Sequence, residues 1–106
     1  MITERIYLGR DNINEILVKE DGADVDFSGV TRMVLEFEGS GVSVDSALSN
    51  VFINWSAGKI ILQLGELVIP PGRYPGTLVA YDLDHDDGQV IFHAVEGKVL
   101  FWFIEA

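Results

Sequence analysis

The chain has 106 residues, no cysteine, and 17 acidic against 7 basic residues, for a net charge of −10. We therefore expect one domain spanning residues 1–106, without disulfides or thiolate metal sites. Clustered cations are absent, which argues against binding nucleic acid through its phosphates. No apolar run approaches the roughly 18–20 residues of a membrane span, and residues 1–5 lack the pattern of a secretory signal.

Strand-like segments follow one another along the whole chain, separated by turn and loop residues at a spacing of roughly 8–12 residues. Nine segments are rich in apolar, β-branched and aromatic residues: 2–8, 13–20, 30–38, 42–44, 51–55, 59–64, 74–82, 89–94 and 97–104. No helix longer than two turns is needed. The pattern predicts an all-β fold, an antiparallel, immunoglobulin-like β-sandwich of seven to nine strands.

Three of these segments carry the clearest local signals. The segment 30–38 has a period of two, because Thr31, Met33, Leu35 and Phe37 fall on one face, and it predicts a half-buried antiparallel strand. The short segment 42–44 has the character of an edge strand. A three-residue loop, Ser56-Ala57-Gly58, joins 51–55 to 59–64 and indicates a hairpin.

The stretch that precedes the long strand 74–82 reads as a structural corner. Pro71 fixes φ, and Gly72 supplies the positive φ that a type II turn requires. Tyr74 then stands where a tyrosine corner would donate its hydroxyl to nearby backbone. We expect Pro71, Gly72 and Tyr74 to shape the fold and not to bind a ligand.

An acidic turn, residues 82–88, follows the long strand and invites comparison with a calcium-binding loop. Asp82, Asp84 and Asp86 match the first three ligand positions of an EF-hand. The sixth position is Asp87 instead of glycine, however, and the twelfth is His93 instead of glutamate. A looser surface site on the three carboxylates remains a weak alternative to a plain acidic hairpin turn.

The residues of familiar catalytic motifs are not present in a recognisable pattern. None of the six serines stands in a G-x-S-x-G motif, and no glycine-rich phosphate loop occurs. The two histidines, His85 and His93, have no third nitrogen ligand for a zinc site. We expect no enzymatic activity and no cofactor.

The last strand is apolar on both faces. Val99, Phe101 and Phe103 alternate with the second set, which consists of Leu100, Trp102 and Ile104. Lys98 shares the face of Trp102, so we expect the second set to point outward. Exposed aromatic residues are typical of interfaces, which predicts an interface at Leu100, Trp102 and Ile104. Full coverage of this face within the monomer is the alternative.

Several turn and strand signals together resemble the immunoglobulin-like domains of tailed-phage virion proteins, such as the N-terminal domain of the baseplate upper protein and related tail modules. The connector Glu20-Asp21-Gly22-Ala23-Asp24-Val25-Asp26-Phe27-Ser28-Gly29-Val30 carries most of this resemblance. The other matching pieces are Met33 to Glu38, Gly58-Lys59-Ile60, Pro71-Gly72-Arg73-Tyr74, Tyr81-Asp82, Asp87-Gly88 and Gly97-Lys98-Val99.

The resemblance implies a phage or prophage structural protein, a tail, baseplate or head accessory subunit that acts through protein–protein contacts in virion assembly. Its partners would be other virion or tail proteins and further copies of itself in a homo-oligomer. It would reside in the virion and, during assembly, in the host cytoplasm. The alternative is a carbohydrate- or Ca²⁺-binding β-sandwich module that uses residues 82–87 and an exposed Trp55 or Trp102.

Overall fold

The computed structural model describes residues 2–48, 51–96 and 98–105. Within them the chain forms eleven strands: β1 (Ile2–Leu8), β2 (Asn14–Leu17), β3 (Lys19–Glu20), β4 (Ala23–Asp24), β5 (Arg32–Phe37), β6 (Val42–Asp45), β7 (Ile53–Ser56), β8 (Lys59–Leu62), β9 (Gly72–Asp82), β10 (His85–Phe92) and β11 (Val99–Glu105). One turn of 3₁₀ helix spans Ala94–Glu96. The all-β class is confirmed.

The strand count exceeds the predicted seven to nine because the predicted segment 13–20 and its connector are divided into shorter strands. Strands β3 and β4 have two residues each and pair as a hairpin. Asp21 and Gly22 join them with φ values of 53° and 82°. Two successive positive φ values are typical of a type I′ turn, for which Asp-Gly is a preferred sequence.

Six strands form the larger sheet, in the order β1-β11-β9-β5-β6, with β10 also paired to β9. Strand β1 runs parallel to β11, with Ile2 opposite Val99 and Leu8 opposite Glu105, whereas the other pairs are antiparallel. The predicted antiparallel pairing is therefore found between the other strands of this sheet, but the β1–β11 pair makes the sheet mixed. Parallel neighbours need a long connection, and here the rest of the chain supplies it.

The smaller sheet has the order β2-β8-β7. Its β7–β8 hairpin is the one predicted, but Ser56 pairs with Lys59, so the loop has only two residues. Strand β6 lies at the edge of the larger sheet, as its short segment predicts. Gly97, with which the last predicted strand begins, lies outside the described residues.

One hydrophobic cluster lies between the two sheets, which gives the molecule a sandwich-like core. The smaller sheet contributes Ile16, Ile53, Ile60 and Leu62, and the larger sheet contributes Ile6, Met33, Leu35, Phe37, Val44, Leu78, Ala80, Phe92, Val99, Phe101 and Phe103. The predicted inner face of 30–38 is confirmed at three of its four positions. Thr31 is exposed, because β5 begins only at Arg32.

Aromatic rings pack at the centre of this cluster. Phe37 meets Phe101 and Phe103 edge-on, with ring centroids 5.2 and 5.1 Å apart. Gly76 allows this packing, because a Cβ at that position would stand 2.3 Å from the Phe101 ring. Strand β11 is therefore fixed firmly on its inner side, which determines how its outer side is presented. No helix in the part of the chain that the structure describes is both long and apolar enough to cross a membrane.

Candidate functional site

The outer side of β11 is half-buried in this monomer. Val99, Phe101 and Phe103 are 4%, 0% and 1% exposed, whereas Leu100, Trp102 and Ile104, which alternate with them, remain partly accessible. The predicted division of the strand into a core face and an outer face thus agrees with the burial of these side chains. The three predicted interface residues lie side by side on one surface of the larger sheet.

Two arginines on the neighbouring strands flank Trp102. The strand registers place Arg5 of β1 and Arg73 of β9 directly opposite it. The Cζ atom of Arg73 lies 4.2 Å from the centroid of the indole ring, and that of Arg5 lies 5.6 Å away. Both distances are within the range of cation–π attraction, which is worth about 0.5–1 kcal/mol at an exposed site for a close contact such as that of Arg73 and less for the more distant Arg5. The indole is therefore held in place by its neighbours.

We call this surface the Trp102 face. It consists of side chains that share the outer side of β1, β11 and the start of β9: Arg5, Tyr7, Arg73, Leu100, Trp102 and Ile104. Tyr7 is 44% exposed, so the face combines aromatic, aliphatic and cationic groups. Tyr, Trp and Arg are enriched in the centres of protein interfaces.

Neither guanidinium group of this face is neutralised within the described residues. The carboxylates there pair with Lys19, Arg32, Lys59, His85 and Lys98, and none of them pairs with Arg5 or Arg73. The chain as a whole carries 17 acidic residues. Two arginines without a carboxylate partner, on either side of one indole, therefore form a local positive patch on an acidic protein.

A second arginine–aromatic pair occupies the same side of the sheet. Arg32 of β5 lies over the ring of Tyr81, 4.8 Å from its centroid. In contrast to Arg5 and Arg73, Arg32 donates two hydrogen bonds to Asp45, of 2.9 and 2.6 Å. Hydrogen bonding from the Arg32 side chain is the largest cause that holds the pKa of Asp45 below its ordinary value. The charge of Arg32 is therefore neutralised by a carboxylate of the same chain.

Side chains occupy part of the free edge of β1. The Asn12 side chain accepts a hydrogen bond from the Tyr7 backbone N–H and donates one to the Tyr7 carbonyl, at 3.1 and 2.8 Å. The Asn14 amide donates to the Arg5 carbonyl at 3.2 Å. An edge strand whose backbone groups are occupied is a poor template for another strand. Around Tyr7 this edge is therefore less available to another strand than the face of the sheet is to a partner.

The acidic turn differs from its prediction in extent and in arrangement. Only Leu83 and Asp84 form the turn, since His85 pairs with Asp82 and β10 continues through Asp86 and Gly88. The Asp82 carboxylate accepts a hydrogen bond from the Asp84 N–H at 2.9 Å, and its Oδ1 lies 2.8 Å from His85 Nδ1. The hydrogen bond with His85 is the main cause that lowers the pKa of Asp82.

The structure gives the weak calcium candidates Asp82, Asp84 and Asp86 no common centre. In the described ranges, no group of three or more histidine, aspartate or glutamate side chains is arranged to hold a metal ion. His93 lies elsewhere, where its Nδ1 accepts a hydrogen bond from the Val95 N–H at 3.0 Å.

The corner before the long strand has one predicted feature and lacks another. The Tyr74 hydroxyl donates to the Pro70 carbonyl at 2.7 Å, which is the contact of a tyrosine corner. Gly72 has the predicted positive φ, 156°, but this value is far from the roughly +80° of a type II turn, and Gly72 is already the first residue of β9. Gly72 packs closely against Tyr74, because a Cβ added at Gly72 would lie 3.3 Å from the Tyr74 hydroxyl oxygen.

Sequence reasoning found Trp102 but missed Arg5 and Arg73. The alternation of β1 and β11 shows which residues share a face within each strand. It does not show that two strands from opposite ends of the chain become parallel neighbours in a register that aligns Arg5 with Trp102. A scan against protein-family models and searches of curated proteins and of solved structures find no match for this chain.

Proposed function

We propose that this chain is a structural subunit of a phage or prophage particle, in the tail, the baseplate or a head accessory position, that works through protein–protein contacts. In this proposal the fold is immunoglobulin-like, the partners are other virion proteins and further copies of the chain, and the protein resides in the virion after assembly in the host cytoplasm. Neither a cofactor nor a catalytic group is required.

One observation carries the proposed contact surface: Trp102 is held between two arginines that have no carboxylate partner among the described residues. Side chains that are already ordered lose less conformational entropy on binding. The sheet beneath them is fixed by the packed phenylalanines of the core. A rigid face that combines an indole, a phenol and two guanidinium groups has the composition of an interface centre.

The carbohydrate alternative has less support on this surface. A sugar ring binds an indole by stacking on its face, but Arg73 already lies over that ring at 4.2 Å. Trp55 is only partly accessible and packs against the core. The described residues also offer no arrangement of carboxylates for a metal ion that would assist a sugar. A protein contact makes better use of the guanidinium groups.

The decisive experiment asks whether the chain is part of a particle. Particles are induced in the organism that carries the gene, purified through a density gradient, and analysed by quantitative mass spectrometry. We expect the chain to co-sediment with particles at a fixed ratio to their other proteins. Its absence from particles that are otherwise complete would refute the virion assignment.

The role of the face is tested in the same particles with the double variant Leu100→Ala/Trp102→Ala. We expect its incorporation to fall at least about tenfold, because truncation at an interface centre commonly weakens binding by that much. The matched control is Leu17→Ala/Val68→Ala, which shortens two exposed apolar residues elsewhere. Circular dichroism checks that both variants fold. Equal incorporation of the two variants would place the contact elsewhere.

A further inference from the structure

We infer that the partner of the Trp102 face is the acidic tip of the β9–β10 hairpin in a second copy of this chain. This inference rests on the proposed function, in which the Trp102 face is a contact surface. The hairpin tip is defined as residues 82–87. Its binding to the face of the next subunit would be a head-to-tail contact.

The cationic half of the contact is incomplete in the monomer. Of the seven basic residues, all three lysines and Arg32 pair with carboxylates of the same chain. Arg5 and Arg73 form no such pair within the part of the chain described, and both are exposed. A guanidinium group presents several N–H donors in a planar fork that matches a carboxylate. Both groups therefore have donors available for carboxylates from outside the subunit.

The hairpin tip supplies the complementary chemistry. Asp84, Asp86 and Asp87 are exposed, and none of them has a basic partner among the residues described. Leu83 stands between the carboxylates and is 90% exposed. An aliphatic side chain surrounded by carboxylates complements an indole flanked by guanidinium groups. Opposite charges across an interface also select the partner and its register.

Other exposed carboxylates fit the face less well. Glu15, Asp24 and Glu96 already pair with lysines. Glu36 lies inside β5, on the surface of the larger sheet, and does not project from the molecule as a hairpin tip does. Only the hairpin tip combines three carboxylates without basic partners and a protruding apolar side chain within six consecutive residues of the described chain.

A subunit cannot place its own tip on its own face. Arg73 and Asp82 lie at opposite ends of β9, nine residues apart. At about 3.3 Å per residue, these positions are about 30 Å apart along the strand. The longest dimension of the molecule is 39 Å. The two surfaces therefore lie at opposite ends of the molecule, and their contact must join different copies.

This arrangement determines the symmetry of the assembly. A contact between two different surfaces leaves one free face and one free tip, so it continues into a closed ring or an open filament. A two-fold dimer centred on Trp102 would instead bring the four arginines of two faces together without carboxylates. Like charges brought together in an interface are unfavourable. The head-to-tail contact is favoured for this reason.

The experiment uses one variant for each half of the contact, studied by sedimentation velocity at ionic strength near 0.15 M over a concentration series. The face variant is Arg5→Gln/Arg73→Gln, which removes charge and retains side-chain length. The tip variant is Asp84→Asn/Asp86→Asn/Asp87→Asn. The matched controls, at exposed residues elsewhere, are Arg10→Gln and Asp11→Asn/Glu20→Gln/Glu66→Gln.

We expect the wild-type chain and both controls to associate as concentration rises, and each variant alone to lose association at least about tenfold in Kd. Mixed in equal amounts, the two variants should form a 1:1 dimer that grows no further. The intact face of the tip variant then binds the intact tip of the face variant, and both remaining ends are defective.

Three results would overturn the inference: a wild-type chain that stays monomeric throughout, variants that associate like their controls, or variants that fail to combine on mixing. The first of these, together with face-dependent incorporation into particles, would assign the Trp102 face to a different acidic protein and leave the proposed function standing. If the wild-type chain is monomeric and is also absent from particles, both the inference and the proposed function are refuted.

Discussion

Two arginine–aromatic arrangements lie on the same side of the larger sheet and differ in one respect. Arg32 stacks on Tyr81 and binds the Asp45 carboxylate through two hydrogen bonds. Arg5 and Arg73 flank Trp102 without any carboxylate partner in the described residues. The first arrangement is electrostatically complete within the monomer, whereas the second has donors left over. The difference separates a group that stabilises the fold from a group that is available to a partner.

The largest effect should come from emptying the core beneath the Trp102 face. Phe101→Ala empties the centre of the core beneath β11 and should lower the free energy of unfolding by about 3–5 kcal/mol. Trp102→Ala, one residue away on the outer side, should cost considerably less because its side chain is only half-buried. Urea denaturation measures both. Equal losses would mean that Trp102 is a core residue and would erase the distinction between the two sides.

The next effect concerns the completed pair. Asp45→Asn keeps the shape of the side chain but removes its charge, so the two charge-assisted hydrogen bonds from Arg32 weaken. We expect the free energy of unfolding to fall by about 1 kcal/mol, the upper end of the range for exposed ion pairs, because the Arg32 side chain donates two hydrogen bonds but is 43% exposed to solvent. Thermal and urea unfolding of Asp45→Asn and of the matched Asp11→Asn provide the measurement. No difference between them would show that the Arg32 pair contributes nothing to stability.

The pH dependence of the same pair sharpens the comparison. Hydrogen bonding to Arg32 lowers the pKa of Asp45 in the folded protein. A lowered carboxyl pKa stabilises the fold above the unfolded-state value, about 3.9, and this stabilisation is lost as pH falls through the folded-state value. The stability difference between wild type and Asp45→Asn should therefore be constant at neutral pH and shrink in acid. A difference that persists in acid would point to packing in place of charge.

The smallest effect is expected at the incomplete arrangement. Arg5→Gln/Arg73→Gln breaks no ion pair within the described residues and loses only exposed cation–π contacts. The free energy of unfolding should change by less than about 1 kcal/mol, while association is lost. The comparison would fail if this variant were destabilised as strongly as Asp45→Asn. The two arrangements would then both be structural.

The sequence predicts much of the fold and only part of the site. The alternation of 30–38 correctly places Met33, Leu35 and Phe37 in the core, because a period of two depends only on strand geometry. The Tyr74 contact follows from a local spacing of four residues. The extent of the acidic turn is predicted wrongly, since the pairing of His85 with Asp82 depends on the register of β9 and β10 and not on composition.

The sequence by itself determines the alternation of each strand, the two-sided apolar character of β11, and the excess of negative charge. These properties are local or summed over residues, so they need no knowledge of which strands meet. Only the tertiary structure brings the first and last strands together in parallel and aligns Arg5, Trp102 and Arg73 across three strands. It also separates this positive patch from the acidic hairpin tip by the length of β9. Strand order and register decide both the alignment of these three side chains and the separation of the patch from the tip, because they are set by how the whole chain packs its core.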